Sequence, residues 1–216
     1  MALLKQLRNQ THAPLKDCKE ALEESGGDLA VAEKIMREKG ALKAEKKADR
    51  ETNEGVVWVL QEGNKVAGVK LACETDFVAK NDTFRGLAQQ LAQRLITLAP
   101  FGELAGLDPQ VREELDNVLK ESFVTIGENM QILDAFVAEG TTYVYRHPGD
   151  KVAAVVFYTG DEQRAKEAAL QVAAMDPTYL TVDEVPAAHV EELSALYRKE
   201  LQDSGKPADI VEKILQ

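Results

Sequence analysis

Val56-Val57-Trp58-Val59-Leu60, then Glu62-Gly63-Asn64-Lys65, then Val66-Ala67-Gly68-Val69-Lys70-Leu71-Ala72-Cys73 are the runs on which the fold of this chain turns. The outer two are β-rich and the middle one is turn sequence, so together they predict a β-hairpin. The period of the apolar residues changes here. Everything before this point repeats at helical spacing, and a long helical pattern resumes after it.

On the N-terminal side, Leu3, Leu4 and Leu7 form one short apolar face, which Thr11-His12-Ala13-Pro14 interrupts. Pro14 suits the start of a second helix, where a missing N–H costs nothing. Leu15, Cys18, Ala21 and Leu22 follow at helical spacing up to Gly26-Gly27. Asp28 is a natural N-cap for a third helix with Leu29, Ala32, Ile35 and Met36 on one face. Gly40 then stands where a C-terminal glycine belongs. These are three short helices in a compact bundle. Residues 41 to 52 are polar and Lys-rich, read as a helical linker, and place a domain boundary near residue 53.

On the C-terminal side, a long helix is expected from Asn81 to Leu98, and Asp108-Pro109 opens another through Phe123. A second β region follows Ile126-Gly127-Glu128-Asn129, with strands expected at Gln131–Ala138, Thr141–Arg146 and Val152–Tyr158. Asp161 opens a further helix. A hairpin followed by a helix thus occurs twice, which suggests two related subdomains. Pro186 starts a charged helix through Asp203 with Val190, Leu193, Leu196, Tyr197 and Leu201 as a narrow stripe. Ser204-Gly205-Lys206-Pro207 is a sharp turn, and a helix carrying Ile210 and Ile214 returns. That pattern reads as an antiparallel helical hairpin.

The expected fold class is α+β: a three-helix N-terminal module with its linker (1–52), a first α+β core subdomain with an antiparallel sheet (53–135), a second related one (136–184) and a helical-hairpin extension (185–216).

Composition narrows the function. The net charge of −11 opposes a phosphate backbone, because nucleic-acid affinity comes largely from neutralising phosphates. The densest basic patch is only Lys43, Lys46, Lys47 and Arg50. A protein partner is expected, with no direct nucleic-acid binding. No run of 18 apolar residues predicts a membrane span, and the N-terminus lacks the apolar stretch of a secretory signal, so the cytoplasm is the default location. Cys18 and Cys73 make neither a disulfide framework nor a metal motif.

The chain offers little chemistry. It has no phosphate-binding glycine loop, no dinucleotide fingerprint and no closely spaced histidine pair. Its three histidines, His12, His147 and His189, flank different elements. The nearest catalytic arrangement would be Cys73 as nucleophile with His147 as base, and nothing in the sequence orients that pair. No cofactor or metal site is expected. Cys73-Glu74-Thr75-Asp76-Phe77-Val78-Ala79-Lys80-Asn81 stands out instead, between a strand and a long helix, where exposed functional side chains are favoured. Two readings are open: Thr75 or Asp76 caps a turn with Phe77 packed beneath it, or Phe77 is an apolar anchor beside a carboxylate.

Several ordered segments carry a resemblance. Glu74-Thr75-Asp76-Phe77-Val78-Ala79-Lys80 resembles the Thr-Asp-Phe-Val signature of the elongation factor Ts family. Leu15-Lys16-Asp17-Cys18-Lys19-Glu20-Ala21-Leu22, Gly26-Gly27-Asp28 and Met36-Arg37-Glu38-Lys39-Gly40-Ala41 are similar to its N-terminal module. So are Ile126-Gly127-Glu128-Asn129 and Tyr145-Arg146-His147 to its core, and Ser204-Gly205-Lys206-Pro207 to its coiled-coil turn. The His12-Ala13-Pro14-Leu15-Lys16 stretch departs from the family's usual Gly- and Met-rich version.

The resemblance implies a ubiquitin-associated-like N-terminal module and a guanine-nucleotide exchange factor, without bond chemistry of its own, acting on elongation factor Tu in translation. Asp76 and Phe77 would enter the nucleotide domain of that GTPase and disturb its magnesium site, held by Thr75 and Val78. Leu15, Lys19 and His147 would be secondary contacts. Family members typically continue beyond the position of Gln216, so a C-terminally short form is expected, with a truncated hairpin, an incomplete second subdomain and the homodimer left open. The alternative is an interaction module that binds a GTPase without driving exchange.

Overall fold

The structure, a computed structural model, describes residues 2–98, 102–204, 210, 213 and 214. It is mixed helix and antiparallel sheet. Residues Met1–Ala174 form one compact unit and Met175–Gln216 a second.

The first unit opens with three helices, α1 (Ala2–Thr11), α2 (Leu15–Glu24) and α3 (Leu29–Lys47). Leu7, Ala13, Cys18, Ala21, Ala32 and Met36 form their shared core. Asp28 caps α3 by accepting the Val31 N–H at 3.0 Å, which satisfies one of the unpaired donors of the first turn. Gly40 does not end this helix. α3 runs seven residues further, through Lys47, and takes up most of the expected linker. The reason is packing: a Cβ at Gly40 would run into the Val124 side chain. The glycine lets α3 approach the helix that bears Val124.

That helix is α6 (Pro109–Ile126), capped by Asp108 onto the Gln110 N–H at 2.8 Å and closed by Gly127 at φ 77°. The left-handed region suits a glycine. The Thr125 hydroxyl donates to the Thr11 carbonyl at 2.8 Å, and Lys47 Nζ donates to the Gly127 carbonyl at 2.6 Å. The helical module is thereby fastened to the core.

The expected hairpin is strands β1 (Glu54–Glu62) and β2 (Lys65–Cys73), in register from Glu54–Cys73 to Glu62–Lys65. A short helix α4 (Asp76–Ala79) and the long α5 (Asp82–Leu98) follow. Phe84, Leu87, Ala88, Leu91, Ala92, Leu95 and Ile96 of α5 are buried at three- and four-residue spacing, the signature of a helix lying on a sheet. The remaining strands are β3 (Gly102–Glu103), β4 (Met130–Glu139), β5 (Thr142–Arg146) and β6 (Ala153–Phe157), before α7 (Glu162–Met175).

Strand β4 does not join β5 and β6. It pairs antiparallel with β2 from Lys65–Glu139 to Cys73–Met130, giving a four-stranded sheet ordered β1-β2-β4-β3. β5 and β6 form their own two-stranded sheet. The line drawn between residues 135 and 136 therefore falls inside a strand. β2 explains this: seven of its nine residues are buried, which requires a neighbour on its second edge to satisfy the backbone.

In the second unit a single turn (Val182–Glu184) precedes α8 (Ala187–Asp203). Val190, Leu193, Leu196 and Tyr197 are exposed along α8. Of the expected Ser204–Pro207 turn, residues 205–207 lie outside the described residues. No described helix is long and apolar enough to cross a membrane.

Candidate functional site

The segment after β2 is braced from two sides. Thr75 donates its backbone N–H to Glu128 Oε2 at 3.0 Å and its hydroxyl to Glu128 Oε1 at 2.6 Å. The same hydroxyl accepts the Val78 N–H at 3.4 Å and so caps α4. One residue earlier, Glu74 Oε1 accepts the Asn129 N–H at 2.7 Å, and its Oε2 takes Arg50 at 3.1 Å. The Asn129 side chain donates to the Ala48 and Arg50 carbonyls at 3.0 and 2.8 Å. Residues 127–129, at the end of α6, thus join the helical module, the loop and the central sheet. Hydrogen bonds to carboxylates are the stronger kind.

The electrostatics follow from these contacts. Burial pushes the Glu74 carboxyl up, but the Asn129 N–H and the Arg50 guanidinium outweigh it and leave it below the usual carboxylate value. Asp76 is held below its usual value by the hydrogen bond from Lys80, 2.7 Å away.

On this braced platform Val78 packs against the core cluster and Ala79 is buried. Phe77 is 84% exposed. The reading in which Phe77 packs beneath the turn is set aside by that exposure. A large aromatic held in water on a fastened loop is costly to solvate and offers a ready apolar anchor.

Of the other expected residues, Leu15 and Lys19 are exposed on α2, Lys19 Nζ 3.6 Å from Glu23. His147 is exposed in the turn between β5 and β6, its Nδ1 2.8 Å from the Tyr145 hydroxyl. Cys73 is wholly buried, and its Sγ donates to the Thr75 carbonyl at 3.3 Å. Burial pushes its thiol up to about 11, so thiolate is scarce at neutral pH. Cys73 bonds to Thr75 and His147 to Tyr145; the pair does not assemble as nucleophile and base. Among the described residues, no group of three His, Cys, Asp or Glu side chains gathers as a metal site.

Four residues that matter to the loop were not singled out as such by their sequence: Glu74, Arg50, Glu128 and Asn129. Glu128 and Asn129 follow the Gly127 cap, and no local signal says what they bond to. Their partners lie 53 to 81 positions away.

Comparison with known proteins gives a consistent result. Residues 74–216 match the family model described as "Elongation factor TS". The chain is 38% identical over 220 residues to the elongation factor Ts of Hydrogenobaculum sp. (strain Y04AAS1), covering 99% of this chain and 81% of that protein. It is 42% identical to that of Burkholderia multivorans (99% and 74% covered) and 34% identical to that of Aquifex aeolicus (99% and 80% covered).

Proposed function

This chain belongs to the elongation factor Ts family of translation factors, and on that premise we propose that it is a guanine-nucleotide exchange factor that binds elongation factor Tu and speeds GDP release by disturbing its magnesium and nucleotide site. The observation that carries this reading is Phe77, 84% exposed at the tip of a loop fastened through Thr75 and Glu74. Phenylalanine is among the aromatic residues enriched at protein interfaces.

The energetic demand is modest. An exchange factor needs no acid, base or nucleophile. It must bind the nucleotide-free GTPase better than the GDP-loaded one, and linkage makes each ligand weaken the other equally. A 1,000-fold faster release asks for about 4 kcal/mol. One buried aromatic anchor supplies about 2 kcal/mol or more, and disturbing the magnesium site, the largest local charge, would have to supply the rest. Phe77 would be the wedge and Asp76 the polar partner, exchanging its Lys80 contact for groups near the ion. Thr75 and Val78 hold the loop.

Leu15, Lys19 and His147 would be secondary contacts with elongation factor Tu in the cytoplasm. The ubiquitin-associated-like character of residues 1–52 belongs to the same reading. The test is release of a fluorescent GDP analogue from elongation factor Tu with and without the chain. Strong acceleration that falls about 30-fold in Phe77→Ala supports exchange. Binding without acceleration would replace it with an interaction module.

A further inference from the structure

Asp150 lies where three elements meet. Its carboxylate is largely buried, 13% exposed, with Oδ1 3.4 Å from Arg146 Nη2 and Oδ2 3.4 Å from Arg85 Nε. The second contact is an ion pair without hydrogen-bond geometry, since Arg85 Nε has no hydrogen-bond partner. The Asp150 carbonyl accepts the Val57 N–H of β1 at 2.7 Å, and its own N–H donates to the His147 carbonyl at 3.0 Å. The Arg146 guanidinium lies 3.6 Å from the centre of the Trp58 ring. One residue therefore joins the central sheet, the first turn of α5 and the turn that carries His147.

Closing the β5–β6 hairpin does not require this carboxylate. His147 N–H to the Val152 carbonyl at 2.9 Å and the turn bond at Asp150 are both backbone, and Pro148 followed by Gly149 at φ 94° is turn sequence by itself. A carboxylate placed between two guanidinium groups joins separate elements. Arg85 belongs to the stretch that leads back to Phe77: its N–H donates to the Asn81 carbonyl at 3.1 Å, and the Asn81 N–H to the Val78 carbonyl at 2.9 Å.

We infer that Asp150 is a positioning residue that fixes the His147 turn against the base of the Phe77 loop, so that both contacts reach the partner GTPase in one rigid arrangement. This rests on the function proposed above. Two contacts held at a fixed spacing reinforce each other through effective concentration, and loosening the link removes that gain without touching either contact.

The test uses Asp150→Asn. Asparagine tolerates the left-handed backbone at φ 55° and keeps the main-chain bonds, so only the ion pairs are lost. GDP release and affinity for elongation factor Tu are measured for His147→Ala and Phe77→Ala, each with and without Asp150→Asn, alongside thermal melting. His147→Ala should cost roughly fivefold in the parent and almost nothing once Asp150 is replaced, while the Phe77→Ala loss stays the same in both backgrounds. Arg85→Gln, which leaves the turn intact, should give the same pattern. If the His147 and Asp150 losses multiply in both variants, or follow the melting temperature, the positioning role is overturned and the exchange function stands. If Phe77→Ala and His147→Ala both leave release unchanged, the proposed function fails and takes this role with it.

Discussion

The Glu128 carboxylate receives both the backbone N–H and the hydroxyl of Thr75, at 3.0 and 2.6 Å. The loop that presents Phe77 is therefore held by a residue 53 positions later in the chain. Hydrogen bonds to a charged acceptor contribute about 1.5–3 kcal/mol each where solvent is excluded, and somewhat less here because the loop is partly exposed. Glu128→Ala should slow GDP release from elongation factor Tu by about tenfold or more. Amide hydrogen exchange should show loss of protection confined to residues 74–81. Protection lost throughout the central sheet would show instead that Glu128 supports the whole core.

Phe77→Ala separates anchor from core. Exposed side chains generally change stability by no more than about 0.5 kcal/mol, whereas loss of an interface anchor costs about 2 kcal/mol. The expected result is an unchanged denaturant midpoint with GDP release slowed about 30-fold. A collapsed unfolding transition would return Phe77 to a packing role.

Asp76 acts, in the proposed function, through the partner's magnesium. Asp76→Ala should slow release most when magnesium is abundant and least when it is chelated. A loss independent of magnesium would assign Asp76 to simple binding.

Glu74 makes the loop acid-sensitive. Its folded pKa lies below the ordinary value of 4.5, so the unfolded chain binds the proton more readily. Its contribution is present above pH 4.5 and is lost as pH falls through the folded value. NMR titration should place the Glu74 midpoint below 4.5, and Arg50→Gln should move it upward. Glu74→Gln should flatten the acid limb of stability below pH 4.5. A Glu74 midpoint at or above 4.5 would contradict the brace.

Gly40 tests the docking of the helical module. Alanine is better than glycine in a helix by about 1 kcal/mol, so an unconstrained site would gain stability. Here the new methyl meets Val124, and overpacking costs about 1–3 kcal/mol. Gly40→Ala should be destabilising in thermal melts, and Val124→Ala should rescue it. Stabilisation by Gly40→Ala alone would mean that the approach of α3 to α6 is loose.

What the sequence settles by itself is local. Asp28 and Asp108-Pro109 announce helix starts because a cap bonds to N–H groups two or three residues away. Glu62-Gly63-Asn64-Lys65 announces a turn for the same short-range reason, and the Thr75-Asp76-Phe77-Val78 loop is recognisable as a family signature. Tertiary structure decides the rest. A glycine reads as a helix end unless a distant surface needs the space, as Val124 does at Gly40. A strand shows its burial pattern but not its neighbour, so β4 is a strand in sequence and a partner of β2 only in the fold. Whether Phe77 is core or anchor is likewise invisible in its neighbours. Its exposure follows from Glu128, Asn129 and Arg50, whose bonds to the loop span 24 to 55 positions, beyond the range over which backbone propensity and capping act.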